Sequence, residues 1–142
     1  MRARRFGVCA PMLVVFCGIA TASMATIAQT GKPERAAVDR GKATFRESCA
    51  ACHGEGGKGD GPASDAMKRR PTNLTTLARQ KGAFRALDIE ASIKGTSQVV
   101  AHGSPGMMVW GAFFLADANG NQARADARIS DLVAFIESIQ VK

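Results

Sequence analysis

Cysteine and histidine are scarce in this chain of 142 residues, which contains four cysteines and two histidines. Cys9 and Cys17 lie in an apolar stretch near the N terminus, so only Cys49 and Cys52 remain beyond it. Paired cysteines in an exported protein normally form structural disulfides. A bridge between Cys49 and Cys52 would close a very small loop and constrain the unfolded chain little. The cysteine content therefore argues against a fold held together by disulfides.

Strand patterns and catalytic groupings are also lacking. No alternation of apolar and polar residues extends beyond a few positions, and there is no internal repeat or low-complexity segment. No arrangement of Ser, His and Asp, and no pair of carboxylates, indicates a catalytic centre. We therefore predict a mostly helical protein that is not an enzyme.

The first 28 residues have the order of a secretory signal peptide. Arginines precede an apolar run of about 15 residues from Phe6 to Ala20, and small residues follow it. The run is shorter than the roughly 20 residues of a membrane-spanning helix. We predict cleavage after Ala25 or Ala28, with an uncleaved N-terminal anchor as the alternative. The predicted organisation is a cleaved signal peptide over 1–28 and one domain over 29–142.

The mature chain is only mildly basic. Loss of the leader removes three arginines, which leaves 16 Lys and Arg against 12 Asp and Glu and lowers the net charge from +7 to +4. The only basic cluster, Lys68-Arg69-Arg70, is typical of a solvated loop. Because nucleic-acid binding needs a concentrated basic face, we expect no nucleic-acid partner.

Amphipathic helices are predicted at both ends of the mature domain. The apolar face of the first helix recurs at Val38, Gly41, Phe45, Cys49 and Cys52. The last helix repeats this pattern at Ile129, Leu132, Val133, Ile136 and Ile139. Asp126 or Ser130 is a candidate cap for its start. Close packing at Gly41 and Phe45 against Phe135 and Ile136 predicts that the two helices cross.

Long glycine-rich connections separate these helices, with one short helix from Asp88 to Lys94 between them. Asp88 is its predicted N-cap, and Gly95 is predicted to end it. Loops of this length are unusual in a compact domain. They are compatible with one if they wrap a large apolar cofactor that completes the core.

Cys49-Ala-Ala-Cys52-His53 has the spacing of a c-type haem attachment motif. Residues three apart on a helix share one face, so both sulfurs can reach the two vinyl groups on one edge of a porphyrin. His53 follows at once and can ligate the iron. The glycines from Gly54 onward are expected to let the backbone lie against the macrocycle.

Two alternatives use the same residues. A redox dithiol also has a Cys-x-x-Cys motif, but that motif normally lies in a βαβ unit, and this sequence predicts none. Zinc binding would need His102 as a fourth ligand, and the adjacent Cys52 and His53 depart from the usual paired spacing. Gly54-Glu-Gly-Gly-Lys-Gly59 matches a dinucleotide fingerprint but follows a helix, so we interpret it as a loop near the cofactor.

From Val38 to Ile139 the chain resembles the monohaem class I c-type cytochromes of bacterial periplasms. The resemblance rests on the haem motif and on the order of Gly61-Pro62, Pro71-Thr-Asn-Leu-Thr75, Met107-Met-Val-Trp-Gly111 and the C-terminal helix. It implies an all-α small cytochrome c fold, with crossing terminal helices and long loops around one haem c bound covalently through Cys49 and Cys52.

The resemblance also implies a methionine as the sixth iron ligand, with His53 as the fifth. Met107 takes the family's ligand position, and Met108 stands where the family has proline, so Met108 is the alternative. His102 is a rival ligand, and its binding would lower the potential relative to a His/Met iron. Both methionines could instead be core filler, because Met packs irregular gaps well.

Two further residues have roles in the family. Pro62 matches a proline whose carbonyl accepts a hydrogen bond from the proximal histidine, a contact that orients the ring. Trp110 is expected near a haem propionate, although packing in the core explains it nearly as well. The resemblance thus makes Pro62 and Trp110 candidate cofactor-binding residues.

The function implied by the resemblance is one-electron transfer by a periplasmic monomer that shuttles electrons between redox protein partners. A dehydrogenase, an oxidase or a cytochrome complex would be such a partner, and contact with a membrane would come only through partners or an uncleaved leader. The alternatives are a haem subunit of a periplasmic dehydrogenase or oxidase, and a haem enzyme or sensor with an open sixth site.

Overall fold

The computed structural model describes residues 33–96 and 107–141, which fall within one compact unit, Gly31–Lys142. The described residues form α-helices and two 3₁₀ turns, and they contain no strand. The helices are α1 (Arg35–Ser48), α2 (Ala50–His53), α3 (Leu77–Lys81), α4 (Ala86–Lys94), α5 (Trp110–Asp117) and α6 (Gln122–Ser138). The 3₁₀ turns are Ser64–Ala66 and Leu74–Thr76. The predicted all-α class is therefore confirmed.

The crossing of α1 and α6 organises the core. Phe45 is fully buried and its ring centroid lies 5.1 Å from that of Phe135. Gly41 lies where a Cβ atom would collide with the backbone carbonyl of Asp131 and come within 2.9 Å of the Phe135 Cβ. The predicted helix crossing is thus confirmed, and the absence of a side chain at Gly41 allows the close approach.

Two predicted helix starts were wrong. Asn121, rather than Asp126 or Ser130, caps α6, and its side chain accepts a 3.0 Å hydrogen bond from the Arg124 N–H. The helix starts earlier because buried Ala125 extends the apolar face by one turn. Arg85, rather than Asp88, is the N-cap of α4, and Asp88 lies in the first turn. The end of α4 at Gly95, which has a left-handed φ of 75°, is confirmed.

The first predicted helix is divided in two, and α3 and α5 are additional helices. Cys49 separates α1 from α2, although its N–H still bonds to the Phe45 carbonyl at 2.8 Å. Helix α5 has the sequence Trp-Gly-Ala-Phe-Phe-Leu-Ala-Asp, which is apolar on nearly every side. Such a run lacks the periodicity from which an amphipathic helix is predicted.

Arg128 connects α6 with α1 and α5. Its guanidinium forms ion pairs with Glu47, at 3.0 Å, and with Asp117. It also lies 4.6 Å from the centroid of the buried Phe114 ring, within the range of a cation–π contact. This residue therefore helps to fix α5 against the crossed helices.

None of the helices in the part of the chain described is long and apolar enough to cross a membrane. The predicted signal peptide over 1–28, His102 and the Gly103-Ser104-Pro105-Gly106 turn lie outside the described residues.

Replacing Gly41 with valine should lower the free energy of unfolding by about 1–3 kcal/mol, the usual effect of overpacking a core. The new side chain would force α1 away from the Asp131 backbone and Phe135. Helix propensity by itself favours valine over glycine, so a loss of stability in this variant reports packing, and Ala43→Val places the same side chain at an exposed position of the helix as a control. Denaturant unfolding of the two variants provides the comparison. Equal stabilities would contradict the importance of the crossing at Gly41.

Candidate cofactor site

Helix α2 carries Cys52 and His53, and Cys49 lies between it and α1. The His53 N–H bonds to the Cys49 carbonyl at 2.8 Å, and the Cys52 N–H bonds to the same carbonyl at 3.1 Å, so the motif is a tight helical turn. Both thiols are free and half-buried. Burial, with a smaller contribution from Cys52, raises the pKa of Cys49 to about 12. Cys49 is therefore a neutral thiol in the unmodified chain.

The His53 ring is oriented by the backbone carbonyl of Thr72, which lies 3.0 Å from Nδ1. A carbonyl only accepts hydrogen bonds, so Nδ1 carries the proton in this contact and Nε2 keeps its lone pair. Burial lowers the pKa of His53, and the hydrogen bond to Thr72 partly opposes that shift. The ring is thus a neutral imidazole, the form that ligates metals.

The prediction that the Pro62 carbonyl accepts this hydrogen bond was wrong. The loop after His53 folds back on α2, where the Gly59 N–H bonds to the His53 carbonyl at 2.8 Å. The Leu74 N–H bonds to the Gly57 carbonyl at 2.7 Å. These bonds bring the segment 71–74 beside the histidine, so Thr72 rather than Pro62 supplies the acceptor.

The glycine-rich loop packs closely against protein backbone. A Cβ atom on Gly61 would lie 2.5 Å from the carbonyl oxygens of Ala50 and Ala51, and one on Gly59 would collide with the Pro71 carbonyl. The close neighbours of these two glycines belong to α2 and to the segment that carries Thr72, so they help to position His53. The expected contact of the loop with a macrocycle stays a prediction.

An apolar cleft lies beside Cys49 and His53. Its enclosed volume is about 70 Å³, and about 590 Å³ when the open space at its mouth is included. The walls are formed by Cys49, His53, Thr72, Leu74, Leu77, Ile89, Ser92, Ile93, Met107, Trp110, Leu132 and Ile136. A mostly apolar lining with a few convergent polar groups is typical of cofactor sites.

Met107 and Met108 differ in their surroundings. Met107 is half-buried, packs against the core and lines the cleft with His53. Met108 is 58% exposed and is not part of the cleft wall. A thioether that faces the cleft can act as a ligand there, whereas an exposed one cannot without rearrangement. The geometry thus favours Met107 over Met108 as the candidate ligand.

Trp110 begins α5 and also lines the cleft. Its ring stacks on Phe114 with centroids 5.6 Å apart and meets Phe113 edge-on at 5.4 Å. Packing against aromatic neighbours therefore accounts for much of its placement. Its expected position near a propionate stays a prediction.

The chemistry of these residues fits a covalently bound haem. The free thiol of Cys49, a neutral histidine with an available Nε2 and a thioether adjoin one apolar cleft, and the second free thiol, Cys52, lies next to that histidine in the chain. Over the described residues, no three His, Cys, Asp or Glu side chains are grouped as a metal-ion site. The zinc alternative invoked His102, which lies outside the described residues.

Sequence reasoning missed Thr72 and the contribution of α4 to the cleft. Ile89 and Ile93 both line the wall, and their spacing of four residues predicts one helical face. That spacing was an available signal for their side of the cleft. The role of the Thr72 carbonyl depends on how the loop folds and has no comparable signal in the sequence.

The family model described as cytochrome c matches residues 38–140. No curated protein and no solved structure significantly matches the chain. The matched segment includes the haem motif, the residues that line the cleft, α6 and α1 except for its first three residues.

Proposed function

The chain belongs to the cytochrome c family, whose members bind haem c and transfer electrons, and we propose that this member is a carrier with a His53/Met107 iron. The observation that carries the proposal is the shared cleft, which both side chains line. The neutral His53 ring, with its proton on Nδ1, offers Nε2 as one ligand. Met107 offers its thioether sulfur as the other.

Each residue of the site has a distinct part in holding the cofactor. Cys49 and Cys52 would hold it covalently as thioethers, and Thr72 would keep the His53 ring in one orientation. When bound, haem iron supplies one-electron exchange between its ferrous and ferric forms. The apolar walls exclude water, and a thioether ligand raises the potential. Two protein ligands leave no open position for substrate, which favours a carrier over an enzyme.

Exposure of the ferrous wild-type protein to CO tests the proposal. A coordinated thioether must leave before CO binds, so we expect little or no binding at neutral pH. The absorption spectrum of the ferrous protein before and after addition of CO gives the answer. Rapid stoichiometric binding would overturn the carrier proposal in favour of an enzyme or sensor with an open sixth site.

We further propose that the protein is exported to a bacterial periplasm and exchanges electrons there with protein partners whose docking face is acidic. Positive charge is concentrated between residues 58 and 85, beside the cleft. The exposed charges of this basic segment are Lys58, Lys68, Arg69, Arg70, Arg79, Lys81 and Arg85 against Asp60 and Asp65. The same segment contributes Thr72, Leu74 and Leu77 to the cleft wall. Positive charge near the cofactor attracts partners with an acidic surface and orients them toward the cleft.

Two small redox reagents of opposite charge test the effect of the basic segment. Reaction with anionic hexacyanoferrate should slow as salt is added, whereas reaction with a cationic cobalt complex should accelerate. Stopped-flow rates over a range of ionic strength give both trends. Identical salt dependence for the two reagents would contradict the proposed acidic partner.

A further inference from the structure

The segment that carries Met107 lies against the C-terminal end of α4. Gly95 follows this helix with a φ of 75°, and a Cβ atom there would lie 2.5 Å from Cγ1 and 2.8 Å from Cγ2 of Val109. A Cβ atom on Gly111 would lie 2.8 Å from the Lys94 carbonyl oxygen. Two glycines, one on each side of the contact, therefore allow the end of α4 and the start of α5 to meet.

Met107 lies close to this contact along the chain. It lies two residues before Val109, which is the extended N-cap of α5, with a φ of −80° and a ψ of 96°. Met107 is therefore outside the hydrogen-bonded helix, and its backbone follows from where Val109 and Trp110 are anchored. Trp110 stacks on Phe114. Val109 is 56% exposed, and its side chain lies over Gly95.

We propose that Gly95 and Gly111 are positioning residues for the sixth iron ligand, acting through the contact of Gly95 with Val109. By allowing α4 and α5 to meet, they keep the Met107 thioether in the cleft. This inference rests on the proposed function, in which Met107 is the ligand. A side chain at Gly95 would displace Val109, and the Met107 sulfur would then spend less time at the iron.

Helix termination alone does not explain the placement of Gly95. Its N–H bonds to the Ser92 carbonyl at 3.3 Å, and the Thr96 N–H bonds to the Ala91 carbonyl at 2.9 Å, as in a glycine-terminated helix. Gly82 ends α3 with the same φ of 75°, but a Cβ atom there would have no neighbour within 4 Å. Gly95 and Gly82 therefore have the same left-handed backbone conformation, and only Gly95 contacts Val109.

This difference gives a matched test on the haem-loaded protein. Gly95→Ala should increase the apparent affinity of the ferrous protein for CO by about tenfold. Gly82→Ala, which suffers the same backbone strain, should leave it at the wild-type value. Adding Val109→Ala to Gly95→Ala removes both Cγ atoms and should restore resistance to CO. Gly111→Ala, which favours helix formation, should open the site in the same direction.

Equal CO affinities for Gly95→Ala and Gly82→Ala, or failure of Val109→Ala to restore resistance, would overturn the inference. If Gly95→Ala does not fold, an unchanged CO affinity in Gly111→Ala would overturn it as well. Met107→Ala separates this failure from failure of the proposed function. If Met107→Ala opens the iron and the glycine variants do not, only the positioning role is lost. If Met107→Ala resembles wild type, the ligand assignment itself is wrong.

Contacts of the Met107 methyl group, measured by NMR, provide a readout that does not depend on ligation. In wild type this methyl group should show close contacts with apolar side chains of the cleft. The contacts should weaken in Gly95→Ala and remain in Gly82→Ala. Retention of the wild-type contacts in Gly95→Ala would contradict positioning by Val109.

Discussion

Met107→Ala should turn a protein that resists CO into one that binds it stoichiometrically in the ferrous form. Alanine offers no ligand atom, so the sixth position would open to exogenous ligands. The potential should fall at the same time, because the thioether favours ferrous iron. Titration with CO and a potentiometric titration measure the two effects on one sample.

Met108→Ala is the matched control, because it removes the same side chain one residue later. Met108 is 58% exposed, so its loss should leave both CO binding and the potential near the wild-type values. The opposite pattern, with an open iron only in Met108→Ala, would show that the ligand was assigned one residue too early. If neither variant opens the iron, His102→Ala becomes the decisive variant.

Loss of both motif cysteines should abolish covalent attachment. In the wild-type protein, thioethers from Cys49 and Cys52 should keep the haem with the polypeptide during acid–acetone extraction. In Cys49→Ser/Cys52→Ser the haem should pass entirely into the organic phase, because serine forms no thioether with a vinyl group. Absorbance of the protein and solvent fractions gives the distribution.

The single variants serve as controls for attachment. Cys49→Ser and Cys52→Ser each keep one sulfur, so the haem that each retains should stay with the protein. Extraction of haem from correctly matured wild type would contradict attachment through the two cysteines. Such a result would favour a redox dithiol or a metal site at the same residues.

The crossed helices could be predicted because their signal is local and periodic. Gly41 and Phe45 recur at helical spacing in one helix, as Leu132 and Ile136 do in the other, and Phe135 lies beside the second face, where it meets Phe45. Helix starts were harder to predict. Ala125 is almost fully buried but is too small to mark an apolar face by itself, so the predicted start of α6 was too late in the sequence.

Two features of the site could not be predicted, because they depend on contacts between residues that are distant in the sequence. The bond between His53 and Thr72 joins residues 19 apart, and it requires the glycine loop to fold back first. Pro62 was the nearer candidate in sequence, but the fold brings the later segment to the histidine. The contact of Gly95 with Val109 is likewise invisible in a periodicity analysis, because neither residue belongs to a helical stripe.

The haem motif differs from these cases because its chemistry is contained in five consecutive residues. Spacing alone predicts that Cys49 and Cys52 share a face with His53 beside them, and the hydrogen bonds of α2 have that geometry. Family membership agrees with this interpretation. The individual ligand assignments stay predictions. Ligation by Met107 is the one that distinguishes an electron carrier from an enzyme.

Methyl NMR of the ferrous wild-type protein tests whether Met107 is an iron ligand. After loss of the predicted leader, the chain contains three methionines, Met67, Met107 and Met108, and labelling their methyl groups with carbon-13 gives three signals. If the sulfur of one methionine binds the iron, its methyl group would lie over the aromatic ring of the cofactor, and its signal should be shifted far upfield of the other two. We predict one such signal, which disappears in Met107→Leu and persists in Met108→Leu. A spectrum with no shifted methyl signal, or a shifted signal that disappears only in Met108→Leu, would contradict the His53/Met107 site.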